Sequence, residues 1–183
     1  FDRPQPNSAF GARQCSRPLF LELSMRIVVL GIGNILLTDE GVGVRVIERL
    51  EQEYVLPPEV EIIDGGTCGM EMLEQLENLD GLVVVDCVRC GQPPATPILL
   101  KGEDVPVFFR TKLSPHQVSL SDVLASLEFT NRAPKSIAIV GMQPVSMSLG
   151  MELSPQVMAQ LPTLVAMTLA ELRLLGIEAE ARR

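Results

Sequence analysis

Two carboxylates and an imidazole, those of Glu40, Asp86 and His116, are the side chains of this sequence best suited to hold a metal ion. Carboxylate oxygen and imidazole nitrogen suit borderline divalent cations such as nickel, zinc or cadmium, and three protein ligands leave a coordination position open for a substrate or an attacking water. His116 is the single histidine of the chain, so any imidazole chemistry must use it. Each residue also has a plainer reading. Glu40 can merely complement the positive end of a helix, Asp86 can merely cap a strand, and a solitary histidine can merely fill a surface or core position.

Other residues offer rival chemistries. Cys87-Val88-Arg89-Cys90 is a C-x-x-C pair, which invites a thiol redox or zinc reading. A structural zinc would want two more soft ligands, and only Cys68 and His116 are candidates, at no familiar spacing. A thioredoxin-like dithiol belongs at the head of a helix, whereas Gly91 to Pro94 reads as a loop, so ordinary, partly buried thiols are expected. Ser119 or Ser121 with His116 and Asp86 would complete a serine triad. No G-x-S-x-G elbow accompanies them, however, and Ser119 is better explained as a helix cap. Gly31-Ile32-Gly33-Asn34 suggests a dinucleotide turn, but the third glycine of that fingerprint falls on Leu36, and Asp64 is a poor ribose ligand on spacing.

The elements that must position these groups alternate short β-branched runs with helical periods, the pattern of βαβ units. Arg26 to Gly31 reads as a first strand and Asp39 to Glu53 as a helix with Val42, Val46, Leu50 and Tyr54 near one face, its two opening acids matching the helix dipole. Val60 to Ile63 is a strand stopped by Asp64-Gly65-Gly66. Met70, Leu73 and Leu76 mark a short helix, and Leu82 to Val85 a strand ending at Asp86. Residues 88–117 are punctuated by prolines, with room for strands at Ile98 to Leu100 and Val107 to Phe109; a connection of that length is usually functional. Ser119-Leu120-Ser121-Asp122 matches a capping box for a helix to Leu127, and Ser136 to Val140 is another central strand. Ser154-Pro155 opens a last helix lined by Val157, Leu161, Leu164, Thr168 and Leu172, in which Pro162 predicts a kink or a late start. The sum is an α/β domain over residues 25–183, a three-layer fold with a mostly parallel sheet of about five strands and helices on both faces. Ligands of such sheets sit beyond the carboxyl ends of the strands where strand order reverses, which is where Glu40 and Asp86 fall.

Composition narrows the partners. The 183 residues carry a formal charge of −8, with no basic block to track phosphates, so no nucleic acid is expected. The longest uninterrupted apolar runs have the length of buried strands, so no membrane partner is expected either. Residues 1–24 have scattered prolines and no apolar period and read as a tail preceding a natural start at Met25. The four cysteines, Cys15, Cys68, Cys87 and Cys90, are too irregular for a disulfide framework, which makes the reducing cytoplasm the expected compartment.

Gly31-Ile32-Gly33-Asn34, Thr38-Asp39-Glu40-Gly41-Val42-Gly43, Asp64-Gly65-Gly66-Thr67, Val85-Asp86 and Ser114-Pro115-His116-Gln117 occur in that order, and over residues 25–175 the chain resembles the nickel–iron hydrogenase maturation peptidases. The resemblance implies an α/β fold with its sheet between helices. It implies an endopeptidase that cuts a C-terminal extension from a hydrogenase large-subunit precursor once nickel is in place. Carried over residue by residue, it makes Glu40, Asp86 and His116 the metal-contacting and catalytic set, and Asp64, with Gly65 and Thr67, a substrate-handling segment. The nickel would arrive with the substrate, and zinc or cadmium could substitute for it in a crystal. The protein is expected to act as a monomer. A non-enzymatic nickel chaperone using the same ligands, or a thiol redox protein using Cys87 and Cys90, is the alternative.

Overall fold

A computed structural model of the protein describes residues 25–67, 69–102, 104–105 and 120–183. The tail expected at 1–24, the strand expected at Val107 to Phe109, Cys68, Ser119 and His116 therefore lie outside the described residues.

Seven strands and four helices form in the order β1 (Ile27–Ile32), α1 (Val42–Glu53), β2 (Tyr54–Val55), β3 (Val60–Gly66), α2 (Leu73–Leu76), β4 (Gly81–Cys87), β5 (Pro97–Lys101), α3 (Leu120–Phe129), β6 (Ile137–Met142), α4 (Pro155–Leu174) and β7 (Glu180–Ala181), among the described residues. Five strands make the central sheet in the order β3-β1-β4-β6-β5. The first four are parallel, and β5 runs antiparallel along β6 at one edge. The expected three-layer, mostly parallel architecture is therefore the observed one.

Side chains of a strand alternate between faces, and here the alternation divides the interior into two cores. Val29, Val83, Val85, Cys87 and Val140 point to the side covered by α1 and α4, where Val42, Val46, Leu50, Leu164 and Leu172 meet them. Val28, Leu30, Val84, Val88 and Ile139 point to the other side, under Leu76 of α2 and Leu120, Val123 and Leu127 of α3. β4 is buried along its whole length, which is why it reads as a continuous apolar run broken only by Asp86.

Several boundaries moved. The helix expected over Asp39 to Glu53 ends at Glu53 as expected but begins at Val42, because Thr38–Gly41 forms a separate 3-10 turn; Tyr54, expected near its apolar face, joins β2. β2 pairs with β7 near the C-terminal end, a two-residue ladder with no periodic signal to announce it. The β3 strand runs through Asp64 to Gly66, because Gly31 and Ile32 of β1 supply backbone partners past the apolar run, with a register shift between them.

α4 starts at Pro155 and continues past Pro162 to Leu174, so the late start does not occur. Ser154 caps it by accepting from the Val157 amide at 3.4 Å. Pro162 deprives the Met158 carbonyl of its helical donor, and Met158 lies on the exposed side of the helix, where water can replace it. By length and composition α4, 20 residues long with an 18-residue stretch of mean hydropathy 1.2, could cross a bilayer, although its longest uninterrupted apolar runs are short. In the fold its apolar residues at 157, 161, 164, 165, 169 and 172 fill the core.

Candidate active site at the carboxyl edge of the sheet

From β1 the chain passes to β3 on one side and then to β4 on the other, so strand order reverses at β1, and sheets of this kind take their ligands beyond the carboxyl ends of the strands at that switch point. Asp86 is the penultimate residue of β4, paired with Gly141 of β6, and is only 7% exposed. It shares the strand parity of Val84 and Val88 and so faces the α2/α3 side. Glu40 sits in the Thr38–Gly41 turn, which lies against both α1 and β4. One of its carboxylate oxygens, Oε2, is closed off from solvent.

Two glycines let this turn come so close. Gly33 has φ +138°, a region that side chains rarely adopt, and a Cβ there would stand 1.8 Å from the Glu40 carbonyl oxygen. At Gly43, in the first turn of α1, a Cβ would lie 2.2 Å from the carbonyl oxygens of both Ile32 and Val85. The helix backbone thus rests directly on the ends of β1 and β4. Gly33, which belongs to the turn that resembles a nucleotide-binding fingerprint, serves instead to seat the Glu40 turn against the exit of β1, while Gly43 seats α1 on both strands.

Asp39, read from sequence as a dipole-matching residue at a helix start, has a different place. It is fully buried, and its carboxylate accepts from four donors on the loop that leads into α4. The Ser154 amide donates to Oδ1 at 2.7 Å, while the amides of Val145 and Ser146 and the Ser154 hydroxyl each donate to Oδ2 at 2.9 Å. Thr38, at φ +44°, adds a hydroxyl bond to the Ser146 carbonyl at 2.7 Å and an amide bond to the Gly150 carbonyl at 2.8 Å. Residue spacing does not reveal this anchorage, since its partners lie more than 100 residues downstream; the acid beside Glu40 was the one available signal.

Asp64, Gly65 and Thr67 also reach the carboxyl edge, on β3 and just beyond it. Asp64 pairs with Gly31, and its exposed carboxylate accepts the Gly66 amide at 2.9 Å. The Gly33 amide donates to the Gly66 carbonyl at 2.8 Å, tying this turn to the β1 exit. β1 lies between β3 and β4, so Asp64 and Asp86 stand two strand spacings apart, roughly 10 Å across the sheet. Thr67 is exposed and Gly65 buried.

Neither Cys87 nor Cys90 is disulfide-bonded, the first being buried and the second exposed. Cys87 follows Asp86 but points to the opposite face, into the α1/α4 core. Cys90 donates through its amide to Gln143 Oε1 at 3.0 Å. Among the described residues no group of three His, Cys, Asp or Glu side chains is assembled that could hold a metal ion, and His116, the third expected ligand, lies outside them. The structure thus places the Glu40 turn beside β4, the strand that carries Asp86, with Asp64 two strands away along the same edge.

Comparison with known proteins identifies the family. Residues 44–171 match the family model described as HycI, hydrogenase maturation protease. The chain is 48% identical over 159 residues to the hydrogenase 2 maturation protease of Escherichia coli K12, spanning 86% of this chain and 97% of that one. It is 40% identical over 155 residues to the hydrogenase expression/formation protein HupD of Rhodobacter capsulatus, spanning 84% and 74%. Its fold superposes on the hydrogenase maturating endopeptidase HybD from E. coli with a TM-score of 0.83, at 48% identity and over 86% and 98% of the two chains. The hydrogenase 2 maturation peptidase from Thaumarchaeota archaeon SCGC_AB-539-E09 gives a TM-score of 0.62 at 29% identity, over 80% and 97%. The chain belongs to the hydrogenase maturation protease family.

Proposed function

We propose that this peptidase removes a C-terminal extension from the nickel-loaded large-subunit precursor of a nickel–iron hydrogenase, and that Glu40, Asp86 and His116 recognise the nickel the substrate carries. The observation that supports this most is the convergence of the Glu40 turn and Asp86 at the switch point, where two close backbone contacts hold them. His116 is tethered four residues before Leu120, which packs in the same core as Val84 and Val88 on the face to which Asp86 points.

Nickel here is cargo of the substrate, and its contact with all three side chains would mark a precursor as ready for cleavage. A metal so held can polarise the scissile carbonyl or lower the pKa of an attacking water, and a carboxylate, that of Glu40 or Asp86, has the chemistry to accept a proton. Asp64, Gly65 and Thr67, farther along the same edge, would handle the extended substrate chain. Beside the Glu40 turn the loop at 145–151 exposes Leu149 and Met151, at 87% and 61%, and such side chains suit a protein partner. Cys87 and Cys90, neither of them disulfide-bonded, suit the reducing cytoplasm, and the enzyme would act there as a monomer on a larger partner.

The test is to mix the protein with nickel-loaded and nickel-free precursor and weigh the products by mass spectrometry. Loss of a C-terminal peptide from the loaded precursor alone is expected, and His116→Ala should abolish it. Nickel transfer to the precursor without cleavage would identify a nickel carrier instead.

A further inference from the structure

The structure assigns Asp39 a role as the positioning residue for Glu40, acting from the buried side of the turn by locking it to the loop at 145–154. The inference rests on the proposal that Glu40 meets the substrate's nickel.

A carboxylate removed from water is costly unless its lone pairs are taken, and all the donors Asp39 receives come from one short stretch of chain. Three are backbone amides, which cannot rotate away. The fourth, the Ser154 hydroxyl, also accepts from the Val157 amide at 3.4 Å, so the anchor extends into the first turn of α4. Thr38 is held at φ +44°, which a β-branched residue adopts only when its surroundings enforce it. Those surroundings are the bonds to Ser146 and Gly150 from the same loop.

Glu40 follows directly. Its carbonyl is pressed against Gly33 on the sheet side, and its neighbour Asp39 is pinned on the loop side, so the short turn between them has little freedom. Removing the Asp39 carboxylate takes away four of the hydrogen bonds that tie the turn carrying Glu40 to this loop. A displacement on the order of 1 Å at a reacting group can cost about 100-fold in rate.

Replacing Asp39 by asparagine would keep the shape while turning one acceptor into a donor that faces backbone N–H groups. The experiment is a double-mutant cycle on the full chain with nickel-loaded precursor, comparing Asp39→Asn, Glu40→Gln and both together, with thermal unfolding of each. Asp39→Asn is expected to lower kcat by about 10- to 100-fold, and the double variant to be no slower than Glu40→Gln alone. A purely structural role would instead multiply the two losses, and that outcome overturns the assignment. Thr38→Val, which removes one hydroxyl bond to the same loop, serves as the milder variant should Asp39→Asn fail to fold, and Thr38→Ser should retain activity. If Glu40→Gln processes normally, the nickel-reading role of Glu40 falls. If Glu40→Gln is slow but Asp39→Asn and Thr38→Val are not, only the positioning role falls.

Discussion

The carbonyl oxygen of Glu40 occupies the space that a side chain on Gly33 would need, 1.8 Å from where its Cβ would stand. Gly33→Ala therefore has no local remedy: its φ of +138° is unfavourable to alanine, and the obstacle is backbone. The variant should lose about 3 kcal/mol or more of stability and all measurable processing. Urea unfolding beside the mass-based cleavage assay checks this, and normal cleavage by a stable Gly33→Ala protein would show that the contact is dispensable.

Gly43→Ala tests the other contact. A methyl group there meets two carbonyl oxygens, one on each of the strands that frame the crevice, so α1 must lift from the sheet. Stability should fall by about 1–3 kcal/mol, the usual range for overpacking. Activity should fall further than the unfolded fraction explains, because the Glu40 turn moves with the helix. Processing rates measured well below the melting temperature separate the two effects.

At the opposite end of the sheet, Asp80 accepts from Lys135 Nζ at 2.6 Å and from the Arg26 amide at 2.9 Å. The Lys135 hydrogen bond, and then the Arg26 amide, hold its carboxyl below the ordinary value of 3.8. A carboxyl whose folded pKa is depressed stabilises the fold above the unfolded value, and that contribution disappears as pH falls through the folded pKa. Asp80→Asn should thus be less stable than the parent at neutral pH, with the deficit shrinking under strongly acid conditions and cleavage unaffected. Urea midpoints followed from neutral to strongly acid pH decide it, and a deficit independent of pH would contradict the linkage.

The thiols should be bystanders. Cys87 faces away from Asp86 and Cys90 is exposed, so Cys90→Ser is expected to change processing by no more than about twofold. Cys87→Ala should cost about 1 kcal/mol of packing with cleavage retained. Abolished cleavage in a folded Cys87→Ala or Cys90→Ser protein would revive the thiol redox reading.

Much of this architecture was legible residue by residue. Val157, Leu161, Leu164, Thr168 and Leu172 all lie buried as their helical spacing requires, and β4 reads as the fully buried strand it is, because a chain covered on both faces must be apolar throughout. What escaped was contact without periodicity. The β2–β7 ladder is two residues long, and the Asp39 anchorage joins residues over 100 positions apart through backbone amides, which every residue type except proline carries.

By itself, then, the sequence determined the βαβ order, the sheet layers and the placement of Glu40 and Asp86 after two strands, since hydrophobic periodicity and strand-end position are local properties. Only the tertiary structure decided that Gly33 and Gly43 serve close packing, that Asp39 turns away from the helix to grip a distant loop, and that Cys87 and Asp86 face opposite sides. Those outcomes depend on which backbone atoms meet in space and on strand pairing, which a linear pattern of residue types does not encode.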